Sequence, residues 1–136
     1  MMAPRFGFNK KEKLKSRKQI DELFAKGKSF AVFPVRVTYR FLPAQGESTV
    51  QAGVTASKKY YKKAVDRNRL KRLLREAYRL QKGPLLEAAR QKKLSGYLFF
   101  MYTDKTLSPF SAVQEAMGAC LKKLEQKLPA AHEDLA

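Results

Sequence analysis

The chain has 136 residues, 44% of them hydrophobic, which suits one domain with a real core and excludes compositional disorder. Its 29 Lys and Arg against 12 Asp and Glu leave a net charge of +17, pointing to a polyanionic partner, nucleic acid before an anionic membrane. No apolar run approaches the ~20 residues of a membrane span. The N-terminal "MMAPRFGFNKKEK" lacks a signal-peptide core, and the lone Cys120 closes no internal disulfide or zinc site, so a cytoplasmic protein is expected.

Residues 1–13 read as an extended basic arm, residues 14–128 as a single domain and residues 129–136 as a flexible tail. "SRKQIDELFAKG" predicts a first helix, with Ser16 and Gln19 as a capping box, Ile20, Leu23 and Phe24 as its apolar stripe, and Gly27 at its exit. "FAVFPVRVTYRF" alternates Phe33, Val35, Val37, Tyr39 and Phe41 with Pro34, Arg36, Thr38 and Arg40, which is strand periodicity. "PAQGES" reads as a turn, and "TVQAGVTAS" alternates again, so a hairpin is expected. Its second arm is either one strand or two broken near Gly53.

A basic helix follows from about residue 63 to Gln81, ended by Gly83 and Pro84. "PLLEAARQKK" predicts another helical turn or two, and "GYLFFMYT" a buried central strand. A last helix starts at Ser108 and Pro109, buries Phe110, Val113, Met117, Cys120, Leu121, Leu124 and Leu128, and ends at Pro129. The order α, β-hairpin, α, β, α makes this an α+β sandwich.

Charge is concentrated. Residues 57–82 hold eleven basic and two acidic residues, and residues 5–28 hold nine and three. On a helical wheel of about 100° per residue, Leu70, Leu73, Leu74, Ala77 and Leu80 form one apolar face. Asn68, Lys71, Arg72, Arg75 and Arg79 fill the opposite arc, Arg69 lies beyond it, and Arg67 sits at a boundary. A solubilising face would mix signs to avoid like charges at i,i+4, so this face binds a polyanion. The planar guanidinium fork suits phosphate oxygens, and Asn68 suits a 2′-hydroxyl or base edge. Lys58, Lys59, Lys62 and Lys63 add charge at the preceding turn. Tyr60 and Tyr61 there suit either base stacking or core packing.

Nothing reads as a catalytic centre or a metal site. Carboxylates are scattered, the single histidine, His132, lies in the tail, and there is no glycine-rich phosphate loop.

"ASKKYYKKAVDRNRLKRLLREAYR" resembles the signature of the protein subunit of bacterial ribonuclease P. The matching residues are Ser57, Lys58 and Lys59 at a strand end, then Ala64, Arg67, Asn68, Arg69, Lys71 and Arg72 entering a helix, continued by Arg75 and Glu76. The resemblance spans about residues 6 to 128. It implies a two-layer α/β sandwich with a four-stranded mixed sheet and a left-handed βαβ crossover, like the second domain of ribosomal protein S5. It implies that the RNA subunit, with Mg²⁺, removes the 5′ leader of precursor tRNA, and that the protein holds no tightly bound cofactor of its own. The expected partners are the ribonuclease P RNA and precursor tRNA, with no DNA or membrane and one protein monomer in the holoenzyme. The expected RNA-binding residues are Lys58, Lys59, Lys62, Lys63, Arg67, Asn68, Arg69, Lys71, Arg72, Arg75 and Arg79. Lining a leader cleft would be Ile20, Phe24, Phe33, Val35, Val37 and Tyr39. The chain departs from the family pattern with Ile20 in place of an aromatic, and with Tyr60 and Tyr61 where many relatives have glycine. The alternative reading is a ribosomal-protein-like RNA binder with no processing role.

Overall fold

The computed structural model describes residues 13–14, 16–46 and 48–128. The expected basic arm, apart from Lys13, and the expected tail with His132 lie outside the described residues. Chain order is α1 (Arg17–Lys26), β1 (Lys28–Val32), β2 (Val35–Pro43), β3 (Val50–Ala56), α2 (Ala64–Gln81), α3 (Gly83–Gln91), β4 (Leu94–Tyr102) and α4 (Phe110–Gln126). The four strands form one mixed sheet in the order β1-β2-β4-β3.

Two expectations need correction. The strand foreseen from Phe30 to Phe41 is two strands, because the chain reverses at Phe33–Pro34, where the peptide bond is cis. Pro34 has no N–H to give a ladder, and β1 folds back antiparallel on β2 with Val32 opposite Val35. The second correction concerns the expected hairpin of β2 with β3. These strands do not pair, since β4 lies between them, antiparallel to β2 and parallel to β3. β4 is apolar on both faces, so it takes the place with two neighbours. The β2–β3 connection passes the start of β4 and bonds to it: the Ala44 amide donates to the Lys93 carbonyl at 2.9 Å, and the Gly96 amide to the Thr49 carbonyl at 2.9 Å. The Ser48 hydroxyl also donates to the Leu94 carbonyl. β3 is a single strand through Gly53.

The sheet has an inner and an outer face. Val35, Val37, Tyr39 and Phe41 of β2, Val50, Ala52 and Ala56 of β3, and Leu94, Leu98, Phe100 and Tyr102 of β4 point inward, to a core closed by α2, α3 and α4. From α4, Val113, Met117, Cys120 and Leu124 are wholly buried in it. The period of two sends Arg36, Thr38, Arg40 and Leu42 to the other face, beside Tyr97, Phe99 and Met101 of β4. α1 covers part of that outer face and drives Leu23 into it, leaving Leu23 only 1% exposed. Ser16 caps α1 by accepting the Gln19 amide at 3.3 Å. The Gln19 side chain donates to the Tyr97 hydroxyl at 3.4 Å. Beyond the sheet edge, the Leu14 amide donates to the Ala52 carbonyl at 2.9 Å, and Lys13 bridges Ala52, so the free side of β3 is partly shielded.

The buried face of α2 is turned about 50° on the wheel from the expected one. Leu70, Leu74, Ala77 and Tyr78 are the fully buried residues, Leu73 is half-buried, and Leu80 is exposed. Tyr78, on the edge of that face opposite Leu80, is drawn in, its ring packing on Phe100 5.5 Å away. Gly83 and Pro84 do not form a loop after α2. Only Lys82 intervenes, with helical φ, and Pro84 stands in the first turn of α3, where its missing N–H costs nothing.

Candidate nucleic-acid interface

The turn from β3 into α2 is rigid despite its four lysines. The Ser57 hydroxyl accepts the Lys59 amide at 3.1 Å, and the Ser57 carbonyl accepts the Tyr61 amide at 3.0 Å. Tyr61 turns inward, its ring 6.0 Å from Tyr102, and its hydroxyl donates to the Asp104 carbonyl at 2.9 Å. Burial, with Tyr102 beside it, pushes the Tyr61 phenol up to about 12. Arg67 closes the turn by donating at 2.8 Å to the carbonyls of both Tyr61 and Lys62. Lys58, Lys59, Lys62 and Lys63 are left exposed on a fixed backbone.

From α2 itself, Asn68, Arg69, Arg72 and Arg75 are exposed and Lys71 is half-buried. Among the described residues no carboxylate pairs with Arg69, Arg72 or Arg75. Arg79 differs. It grips Glu76 with both nitrogens, Nε to Oε1 at 3.0 Å and Nη2 to Oε2 at 2.5 Å, and this hydrogen bonding holds the Glu76 carboxyl below its ordinary range. So Arg67 and Arg79 use their guanidiniums inside the protein, and the outward charge rests on the others. Lys13 and Phe110 join Arg72, Leu73 and Arg75 around a depression of about 540 Å³ beside the helix. Neither was foreseen, because only the fold brings them next to α2.

A second surface lies between α1 and the outer face. Phe24, 49% exposed, meets Phe99 edge-on with ring centroids 5.3 Å apart. Ile20 is half-buried on the same side of α1. Toward the start of the helix, Ser16, Gln19, Glu22, Arg40, Leu42 and Tyr97 line a cavity of about 280 Å³. Glu22 and Arg40 face each other across it at 3.6 Å.

The other residues expected at the leader cleft are not gathered beside α1. Val35 and Val37 have no exposed surface and Tyr39 is 8% exposed, all three on the inner face away from α1. Phe33 stands at the β1–β2 turn, 68% exposed. The alternation of β2 was legible, but not which of its two faces α1 would cover. Tyr97 and Phe99 were hidden for a related reason: they sit in an apolar run that shows no face at all.

Among the described residues there is no group of three or more His, Cys, Asp or Glu that could hold a metal ion, and no helix long and apolar enough to cross a membrane.

The family model for Ribonuclease P matches residues 8–125. The ribonuclease P protein component of Porphyromonas gingivalis is 36% identical over 126 residues, which cover 93% of this chain and 92% of that protein. The one from Chlorobaculum tepidum is 62% identical over 34 residues, 25% of this chain and 22% of that protein. Among solved structures, the RNase P protein from Thermotoga maritima superposes with a TM-score of 0.64 at 26% identity, covering 82% of this chain and 96% of that chain. The RNase P protein of Staphylococcus aureus superposes with a TM-score of 0.62 at 21% identity, over 82% and 94% of the two chains, a likeness of fold.

Proposed function

Since the chain belongs to the ribonuclease P protein family, we propose that its helix α2 docks on the RNA subunit of that enzyme while the groove beside α1 takes the 5′ leader of precursor tRNA. As a ribonuclease P protein component it serves the processing of tRNA 5′ ends. The observation that carries the docking is the unpaired, exposed row Arg69, Arg72 and Arg75 on a helix whose other side is locked in the core. Guanidiniums held in this way need little ordering when they meet phosphate, and each neutralised phosphate releases counterions.

Cleaving a phosphodiester with water requires an activated nucleophile and stabilisation of the leaving oxygen. We assign the metal and the hydrolytic step to the RNA subunit, a reading that the one-signed, outward charge of α2 supports, since it suits a protein that grips phosphates. The protein then acts through binding. A grip on the leader favours precursor over product, since the mature tRNA has no leader to hold. Phe24 and Phe99 support this part, offering aromatic edges on a surface wide enough for unpaired bases.

The test is reconstitution. Purified protein, precursor tRNA and the bacterial ribonuclease P RNA are combined at low Mg²⁺, with each component omitted in turn. Cleavage at the leader junction is expected only when the RNA subunit is present, and faster with the protein than without it. Cleavage by protein alone overturns the assignment of chemistry to RNA. No effect of the protein would favour an RNA binder outside processing.

A further inference from the structure

Tyr60 and Tyr61 are neighbours in sequence with opposite placements. Tyr61 is buried, while Tyr60 is 40% exposed at the tip of the turn. Two ammonium groups converge on the Tyr60 ring, Lys59 Nζ at 5.7 Å and Lys105 Nζ at 5.8 Å from its centroid. Lys105 comes from the loop between β4 and α4, far along the chain.

That loop is as firmly built as the turn it meets. The Tyr102 hydroxyl donates to the Thr106 carbonyl at 2.6 Å and accepts the Ser108 amide at 2.7 Å. The Asp104 carboxylate is turned into the loop, accepting the Thr106 amide at 3.1 Å and the hydroxyls of Thr106 and Ser108 at 3.2 Å each. These bonds, the Thr106 amide first, hold the Asp104 carboxyl below its ordinary range. The bond from Tyr61 to the Asp104 carbonyl ties loop and turn together. Among the described residues no carboxylate forms an ion pair with Lys58, Lys59, Lys62, Lys63 or Lys105. Two like charges on one small ring repel each other, and an exposed cation–π contact is weak. A phosphate bound by both ammoniums would remove the repulsion, and the 40% exposed ring would then be available to a base.

We propose that Tyr60, Lys59 and Lys105 form a pocket for one unpaired nucleotide of the ribonuclease P RNA, with its base stacked on Tyr60 and its phosphate between the two ammoniums. This rests on the docking of α2 proposed above. The RNA subunit is the source because Arg67 locks the turn to the first turns of α2, so Tyr60 and Arg69 move as one body. The base is unpaired because a paired one has no free face to stack.

The test uses the full-length protein and the ribonuclease P RNA alone, titrated at several salt concentrations, with a thermal melt of each variant. Tyr60→Ala is expected to weaken binding by roughly 5- to 150-fold, the worth of one stacked base. Tyr60→Phe keeps the affinity, since the hydroxyl has no part in stacking. Lys105→Ala weakens binding and lowers the log–log salt slope by about 0.7–0.9, one phosphate. The double variant should lose less than the product of the two single losses, because both side chains hold one nucleotide. A lower melting temperature with unchanged affinity in Tyr60→Ala and Lys105→Ala overturns the pocket, leaving only contacts within the protein. Unchanged affinity in these variants but weakened binding in Arg72→Ala also overturns the pocket and leaves helix docking standing. If Arg72→Ala and Arg69→Ala are silent too, the docking reading itself fails. If RNA-subunit affinity holds while the holoenzyme loses precursor tRNA, the nucleotide is the leader's and the proposal is wrong.

Discussion

Phe99 lies against the bare backbone of Gly53: a Cβ at Gly53 would stand 2.8 Å from two carbons of the ring. The missing side chain on β3 lets the β4 ring settle across the sheet, from where it meets Phe24 edge-on. Gly53→Ala is therefore expected to lift Phe99 toward the groove, since the Leu14 carbonyl, 3.3 Å from the added carbon, leaves no room on the other side. Overpacking of this kind costs about 1–3 kcal/mol. The check is a urea unfolding curve together with holoenzyme affinity for precursor and for mature tRNA. The precursor alone should weaken, and an unchanged ratio would separate Phe99 from the leader.

Phe24 and Ile20 test the opposite wall. Phe24→Ala should weaken precursor binding by about 1–3 kcal/mol, one stacked base, and leave mature tRNA unaffected. Ile20→Phe adds an aromatic one turn before Phe24 and should tighten the precursor selectively. Equal shifts for precursor and mature tRNA in folded variants would mean that these side chains only pack.

The arginines of α2 are not equivalent. Arg69→Ala and Arg72→Ala should each reduce the salt slope of RNA binding by about 0.7–0.9 with no change in unfolding midpoint. Arg79→Ala should reduce it less, because its guanidinium is already neutralised by Glu76. Salt titrations of the three variants side by side decide this, and an Arg79 effect as large as that of Arg72 would show that RNA displaces Glu76.

The turned core face of α2 gives a stability contrast. Leu70 and Leu74 have no exposed surface, whereas Leu80 is 40% exposed. Leu74→Ala is expected to destabilise the domain by about 2–5 kcal/mol through cavity formation, and Leu80→Ala by well under 1 kcal/mol. Equal losses at the two positions in denaturant unfolding would restore the expected wheel.

Burial pushes the Cys120 thiol up to about 11 from an ordinary 9.0. Below pH 9 the thiol is neutral in folded and unfolded chains alike, and the burial has its full worth. Between pH 9 and 11 the unfolded chain ionises while the folded one does not, so stability falls as pH rises, by up to about 3 kcal/mol from this group. Cys120→Ala should flatten that part of the stability–pH curve. At neutral pH the folded wild type should resist alkylation by iodoacetamide.

Helices were legible wherever apolar spacing and caps coincided. Ser16, Gly27, Pro84 and Pro109 each stand at or beside a helix end. The outward basic face of α2 was legible too, since Asn68, Arg69, Arg72 and Arg75 stand exposed where the wheel puts them. Strand pairing was not. The alternation of Val35, Val37 and Tyr39 says that they share a face, but neighbours in a sheet are chosen by a strand that arrives later in the chain. For the same reason Lys105, Phe99 and Tyr97 carried no local mark of a site. Their positions come from register with β2 and β3 and from a loop pinned by the Tyr102 hydroxyl.

The position of β4 between β2 and β3 also dictates when this protein can become itself during synthesis. β1 and β2 can close as a hairpin as soon as they emerge, but the ladder partner of β3 is not made until residues 94–102 have been added. Until then α2, with its whole charged row, has no completed sheet beneath its leucines. A chain cut short before residue 94 therefore does not yield a smaller RNA-binding domain. It leaves a hairpin and an unsupported cationic helix, because both the outer face beside α1 and the turn tied to Asp104 wait for the insertion of one late strand.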